Sequence, residues 1–278
     1  MKKYLSLLFL FIVFFDQHVS AFEGYSTIGA RSAALGRASV TLSDFWSIHN
    51  NPSGIALQLR PAAGIAYENR YQMKELSLKS AAFVLPVNFG VLGLSFNQYG
   101  YKAYNENKIG LAYARSFGPM LRLGLQLDYL SSRFSEGYEG SNHVTFEFGV
   151  QSDLTDKLTA AALIFNPIGV RRSDLTKERI PVVMRIGLGY RFTEELSAIA
   201  EIEKQTDFGP DGRFGIEYKI NEKFYARTGV AVNPGLFTFG AGWHAGRLHI
   251  DIAAAMHQVV GTTAQVSLVY HFGKSINE

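Results

Sequence analysis

The chain has 278 residues, a formal net charge of +3 and 18% charged residues, below the ~25% usual for soluble domains. A hydrophobic content of 47% excludes a disordered or collagen-like chain, and the lack of cysteine excludes disulfides, thiolate metal sites, iron–sulfur clusters, a cysteine nucleophile and a lipidated N-terminal Cys. So small a charge, with no Lys/Arg stripe, gives no basis for nucleic-acid binding.

The N-terminus reads as an address. Met1-Lys2-Lys3 is basic, Tyr4 to Phe15 is an apolar run of 12 residues, and Val19-Ser20-Ala21 supplies small residues for cleavage after Ala21. That is the layout of a Sec signal peptide over residues 1–21. The run is short of the ~20 residues that a spanning helix needs, and no later stretch approaches that length. The expectation is an exported protein, either soluble or inserted in an outer membrane as a barrel.

Residues 22–61 show no regular alternation. Glycine and small residues dominate Gly29 to Ser39, and Ser43-Asp44 suits the start of a helical turn. Pro52 fixes its own φ and restricts Asn51, which sets a rigid turn at Asn51-Pro52-Ser53. Gly24 to Gly36 lacks the spacing of a phosphate-cradling loop. A segment of this composition packs well inside something else.

From residue 62 the pattern has period two. Leu121, Leu123, Leu125 and Leu127 alternate with Arg122, Gly124, Gln126 and Asp128; Met184 to Phe192, Phe214 to Ile220 and Leu248 to Met256 behave alike. Opposed apolar and polar faces mean β-strands. Fourteen segments follow, at 62–71, 77–85, 90–99, 107–117, 121–134, 142–153, 158–165, 180–192, 196–204, 212–220, 224–232, 236–245, 247–258 and 262–272. The second shows no clean alternation, so its facing stays open. Most are near the ~9–11 residues that cross a bilayer at a tilt. Connectors alternate between short and long, with Asn233-Pro234-Gly235 as a tight exception, and aromatics such as Tyr67, Tyr71, Tyr129, Tyr190, Trp243 and Tyr270 recur toward the ends of the apolar face. These are the marks of an all-β, 14-stranded antiparallel transmembrane outer-membrane β-barrel over 62–273, with a short tail at 274–278. The alternative is a soluble β-sandwich with the aromatics in its core.

The polar face carries both signs: Arg122, Asp128, Glu147, Arg185, Glu201, Arg213, Glu217, Arg227 and Asp251. Charges in a narrow interior must be paired or hydrated, so a lumen braced by ion pairs around an N-terminal plug is expected; a selective channel is the alternative. Turn pairing brings His244, His249 and His271 together at the periplasmic mouth with Asp251 nearby. Three imidazoles and a carboxylate are metal-ligand types; the competing reading is a polar surface against the plug. No catalytic constellation can be assembled, and no cofactor is implied.

The stretch Gly29 to Gly36 (Gly-Ala-Arg-Ser-Ala-Ala-Leu-Gly), the following Ala38-Ser39-Val40 and Ser43-Asp44, the aromatic–small patch Phe45-Trp46-Ser47, and Asn51-Pro52 with Gly54 carry a resemblance. They resemble the N-terminus of the PorV/PorQ family within the FadL-like superfamily of outer-membrane barrels. The resemblance implies a 14-stranded barrel whose N-terminal segment, 22–61, enters the lumen as a hatch. The hatch motif would comprise Gly29, Arg31, Gly36, Arg37, Asn51, Pro52 and Ser53, with Ser53 where the family has Ala and Arg37 where it often has Gly. Arg31 and Arg37 would then pair with lumen carboxylates. Two functions follow from the resemblance. One is a non-enzymatic accessory in type IX secretion or surface assembly, with secretion-system or surface proteins as partners. The other is a transporter of long-chain fatty acids or other hydrophobic small molecules. Outer-membrane lipid is a partner under both.

Overall fold

The computed structural model describes residues 26–135, 140–171 and 179–273. The expected signal peptide, the tail 274–278 and most charges of the 166–179 connector lie outside the described residues.

Fourteen strands form where the alternation placed them. They are β1 (Ala62–Asn69), β2 (Ser77–Val87), β3 (Gly90–Gly100), β4 (Tyr104–Phe117), β5 (Leu121–Phe134), β6 (Ser141–Asp153) and β7 (Leu158–Phe165). The second half comprises β8 (Val183–Arg191), β9 (Leu196–Gln205), β10 (Asp211–Lys219), β11 (Phe224–Ala231), β12 (Leu236–Ala245), β13 (Leu248–His257) and β14 (Gly261–His271). Each pairs antiparallel with its chain neighbours, and β1 closes on β14 with Ala62 opposite His271 and Asn69 opposite Ala264. Closure leaves no sheet edge around the barrel's middle, which is what allows strands to lie in lipid.

The wall is apolar outside and polar inside. In β5, Leu125, Leu127 and Tyr129 are exposed, while Gln126 and Asp128 are fully buried. The strand-end aromatics that alternation placed on the apolar face include Tyr67, Tyr129, Tyr190 and Trp243, all exposed; Tyr71 instead leaves the strand at φ 54 and meets His257 edge-on. The open question in β2 is settled: Leu78, Ser80, Ala82 and Val84 face inward, and Lys79, Phe83 and Leu85 outward.

Both ends of the strand region, Ala62 and His271, lie at one end of the barrel, here the terminal end. Its turns are short, at 88–89, 118–120, 154–157, 192–195, 220–223 and 246–247. The far end carries the longer connections at 70–76, 135–140 and 166–182, and the tight one at 232–235.

Two boundaries differ from the sequence reading by three residues, the others by two or fewer. β4 begins at Tyr104 rather than 107, and β8 at Val183 rather than 180. Asn166 sets the second. At φ 52 it bends the chain inward, its Nδ2 donates to Ile180 O at 2.8 Å, and it accepts from Thr145 Oγ1 at 2.8 Å. Ile180 then packs with Leu130, Leu163 and Phe165 inside the barrel instead of extending β8. The inward face of β7 is therefore apolar, an exception to the polar lumen.

Candidate functional site

Residues 26–61 run through the barrel's interior as two short helices, α1 (Ala30–Ala34) and α2 (Ser47–Asn50), and a 3-10 turn (Pro52–Leu57). The segment is sealed: Ala30, Leu35, Val40, Ile48, Asn51 and Ser53 have no exposed surface. Its own sequence sets its turns. Gly29, at φ 98, precedes α1, and Gly36 and Arg37 follow it at φ 67 and φ 64. The left-handed region suits the glycines; Arg37 takes it as a side-chain-bearing residue at a cost of about 1 kcal/mol. Pro52 opens the 3-10 turn, with Asn51 extended before it as the proline requires. Asn51 Oδ1 accepts from Ser53 N at 3.2 Å and Ser53 Oγ at 2.7 Å, and its Nδ2 donates to Val40 O at 2.8 Å. One side chain thus ties the turn to the strand of segment that passes beside it.

Glycines of the wall receive this segment. Gly124 and Gly149 face each other across β5 and β6. A Cβ on Gly149 would lie 1.9 Å from Asn51 Oδ1, and one on Gly124 2.3 Å from Ser53 N. Gly215 and Gly229 form a second facing pair, across β10 and β11. There a Cβ would lie 2.6 Å from the Leu35 Cβ and 2.1 Å from Gly36 N. These contacts are far inside van der Waals distance, so the two glycine pairs act as saddles shaped to the backbone they hold. Gly36 N also donates to Thr238 Oγ1, and Thr238 Oγ1 donates to Ala34 O, both at 2.8 Å.

Ion pairs complete the seat. Arg31 makes two bonds to Glu217, at 2.9 and 2.6 Å, and reaches Asp44 at 3.1 Å. Burial opposes its charge, but Glu217 and Asp44 outweigh it and hold the guanidinium above its ordinary pKa. Glu217 also pairs with Arg227, which pairs with Asp251 at 2.6 Å. Arg37 meets Glu68 at 3.5 Å, and Arg70 meets the same carboxylate at 2.7 Å. In a further group, Arg213 lies 3.2 Å from Glu201 and 2.8 Å from Glu203, and Arg185 2.6 Å from Glu203. Glu201 accepts from Ser39 N and Val40 N, each at 2.7 Å. A carboxylate holding two adjacent backbone amides in this way is a charge-assisted anchor. His49, sealed against Trp46, is held neutral: burial, reinforced by the charge of Lys108, takes its pKa to about 3.

The residues singled out in the sequence are thus distributed over several clusters. Gly29, Arg31, Gly36, Arg37, Asn51, Pro52 and Ser53 all lie in the inner segment. Glu217, Arg227 and Asp251 join Arg31; Arg185, Glu201 and Arg213 form their own group. Asp128 and Glu147 share Lys108, and Arg122 is bidentate to Asp153 at 2.6 and 2.7 Å. Lys108, Glu68, Arg70 and Asp153 were missed. For Lys108 and Glu106 a signal existed: extending the parity of β4 back from Gly110 puts both inside.

His244, His249 and His271 do meet at the terminal end, with ring centroids 4.1 and 4.7 Å apart, and His244 Nε2 lies 3.3 Å from Asp251. The first two rings are stacked at 10°, however, so their in-plane nitrogens point past each other. Among the described residues no group of three His, Asp or Glu is arranged to hold a metal ion. The cluster instead borders a cavity of about 130 Å³ beside Arg31 and Trp46.

The closed barrel of fourteen antiparallel strands has counterparts among solved structures. The chain is similar to the CymD monoaromatic hydrocarbon channel, with TM-score 0.68 and 13% identity over 91% of this chain and 100% of that one. It is also similar to the Pseudomonas putida toluene transporter TodX (TM-score 0.67, 12% identity, 90% and 100% covered) and to a Pseudomonas aeruginosa FadL homologue (TM-score 0.65, 13%, 89% and 99%). No protein-family model and no curated protein matches the sequence.

Proposed function

We propose that this protein is an outer-membrane barrel that admits hydrophobic small molecules, with residues 22–61 as a hatch in the barrel of residues 62–273. The observation that carries this reading is the fold shared, over nearly the whole chain, with channels named for monoaromatic hydrocarbons and toluene. The hatch role rests on the glycine saddles and the Arg31–Glu217 pair, which seat the segment across the lumen. No catalytic set enters this account.

The test is uptake of a hydrophobic fluorescent probe by cells with an intact lipopolysaccharide leaflet. Deleting the gene is expected to slow uptake several-fold, and the wild-type gene to restore it. Equal uptake with and without the protein removes the reading. Pro52→Ala is expected to loosen the hatch and raise permeability to small polar solutes; unchanged permeability in a folded variant removes the hatch role.

A second reading, an accessory of the PorV/PorQ kind in type IX secretion or surface assembly, is favoured by one observation. The middle of the lumen is filled by the inner segment and buried ion pairs rather than by an apolar chamber. Near-stoichiometric secretion or surface proteins in a mild-detergent pull-down would support it. A lone barrel carrying enriched hydrophobic compounds would support the first.

A further inference from the structure

A cavity of about 760 Å³ opens at the terminal end between the inner segment and strands β5–β9. That is the size of a small-molecule site. It is blind. Its floor includes Thr41 and Ser43, in a turn that the wall clamps: Gln151 Nε2 donates to Val40 O at 2.9 Å and Leu42 O at 2.8 Å, and Ser43 Oγ donates to Gln151 Oε1 at 2.8 Å. Leu42, Leu57, Met120 and Ile199 give the cavity an apolar side.

Its charges are uneven. Arg122 and Asp153 neutralise each other through a bidentate pair. Lys157 and Arg191, both exposed at the lip, form no salt bridge among the described residues, although Arg191 lies within the field of Asp153, and the one remaining acid is Asp156, whose carbonyl accepts from Arg191. One positive charge is left over.

We infer that this vestibule binds a compact organic anion, an aromatic or short branched carboxylate or sulfonate. Its head sits between Lys157 and Arg191 and its apolar body lies on Leu42, Met120 and Ile199. The apolar side disfavours a bare inorganic ion. The inference concerns a site apart from the glycine saddles and does not rest on passage of neutral hydrocarbons.

The test uses the full-length protein in nanodiscs, with 4-(trifluoromethyl)benzoate as the anionic probe and trifluoromethylbenzene as its neutral counterpart, read by fluorine NMR against empty nanodiscs. The benzoate is expected to bind the protein above the empty-disc background. The Lys157→Gln/Arg191→Gln double variant is expected to weaken it about tenfold without changing the neutral probe. Asp156→Asn, which removes the opposing charge, is expected to tighten it severalfold, a gain that misfolding does not produce. Benzoate signal equal to empty nanodiscs, or unchanged binding in both variants, overturns the inference.

Discussion

The two halves of the inner segment are held by different physics. The first, Ala30 to Val40, lies against β8–β14 and adds to its saddle at Gly215 and Gly229 a set of charge and hydrogen-bond ties to the wall: Arg31 to Glu217, Gly36 to Thr238, Ser39 and Val40 to Glu201. The second, Phe45 to Leu57, lies against β1–β6 and is held by shape. Phe45 fits over Gly64, Ile48 over Gly93, and Asn51-Pro52-Ser53 over Gly124 and Gly149, while the hydrogen bonds of Asn50, Asn51 and Ser53 stay within the segment. A latch made of ion pairs can be opened by changing charge. A key made of backbone contacts opens only if the wall itself moves. The first half is therefore the part of the segment able to respond to conditions, and the second the part that fixes its position.

Steric substitutions test the keyed contacts and carry the largest expected effect. Gly124→Ala puts a methyl against Ser53 N, and Gly229→Ala puts one against Gly36 N; in both the obstacle is backbone, which cannot rotate away. Each is expected to cost about 3 kcal/mol or more in urea unfolding from detergent micelles. A cost below about 1 kcal/mol in both would show that the segment is not seated on the saddles.

Charge removal tests the latch alone. Glu217→Gln leaves Arg31 with Asp44 and Arg227 with Asp251, so the loss is partial, about 2 kcal/mol. The comparison sharpens if Glu217→Gln raises protease cleavage near Arg31 but leaves Leu57 protected. Equal exposure of both halves would mean that the segment moves as one body.

The smallest effect is a pH dependence. His49 has a folded pKa of about 3 against an ordinary 6.5, so the unfolded chain binds the extra proton between those values. Stability contributed by neutral His49 is full above about pH 6.5 and is lost progressively as pH falls toward 3. Unfolding of wild type and His49→Phe compared at pH 7 and pH 5 is expected to show the smaller pH slope in the variant; equal slopes would place the imidazole in water.

Much of the wall was legible in the sequence because a strand sorts its side chains with period two, whatever it pairs with. That suffices to place Asp128, Glu147 and Glu201 inside and Leu127 outside. Legibility failed where the outer face leaves the apolar belt. In Asn105-Glu106-Asn107-Lys108 both faces are polar, so alternation disappears although β4 continues. It failed again at Ile180, whose apolar side chain suits a strand but turns into the lumen once Asn166 bends the chain.

For the inner segment, the sequence by itself determined the local turns: Pro52 and Asn51, and glycines at positions 29 and 36, set backbone geometry within a few residues. It also determined that charges would line an interior. Only the tertiary structure decided the partners. Arg31 and Glu217 are 186 residues apart, and Gly124 faces Gly149 only because of the register of β5 on β6. Parity is a property of each strand alone, whereas partner choice depends on how fourteen registers add up around a closed barrel, and no local pattern encodes that sum.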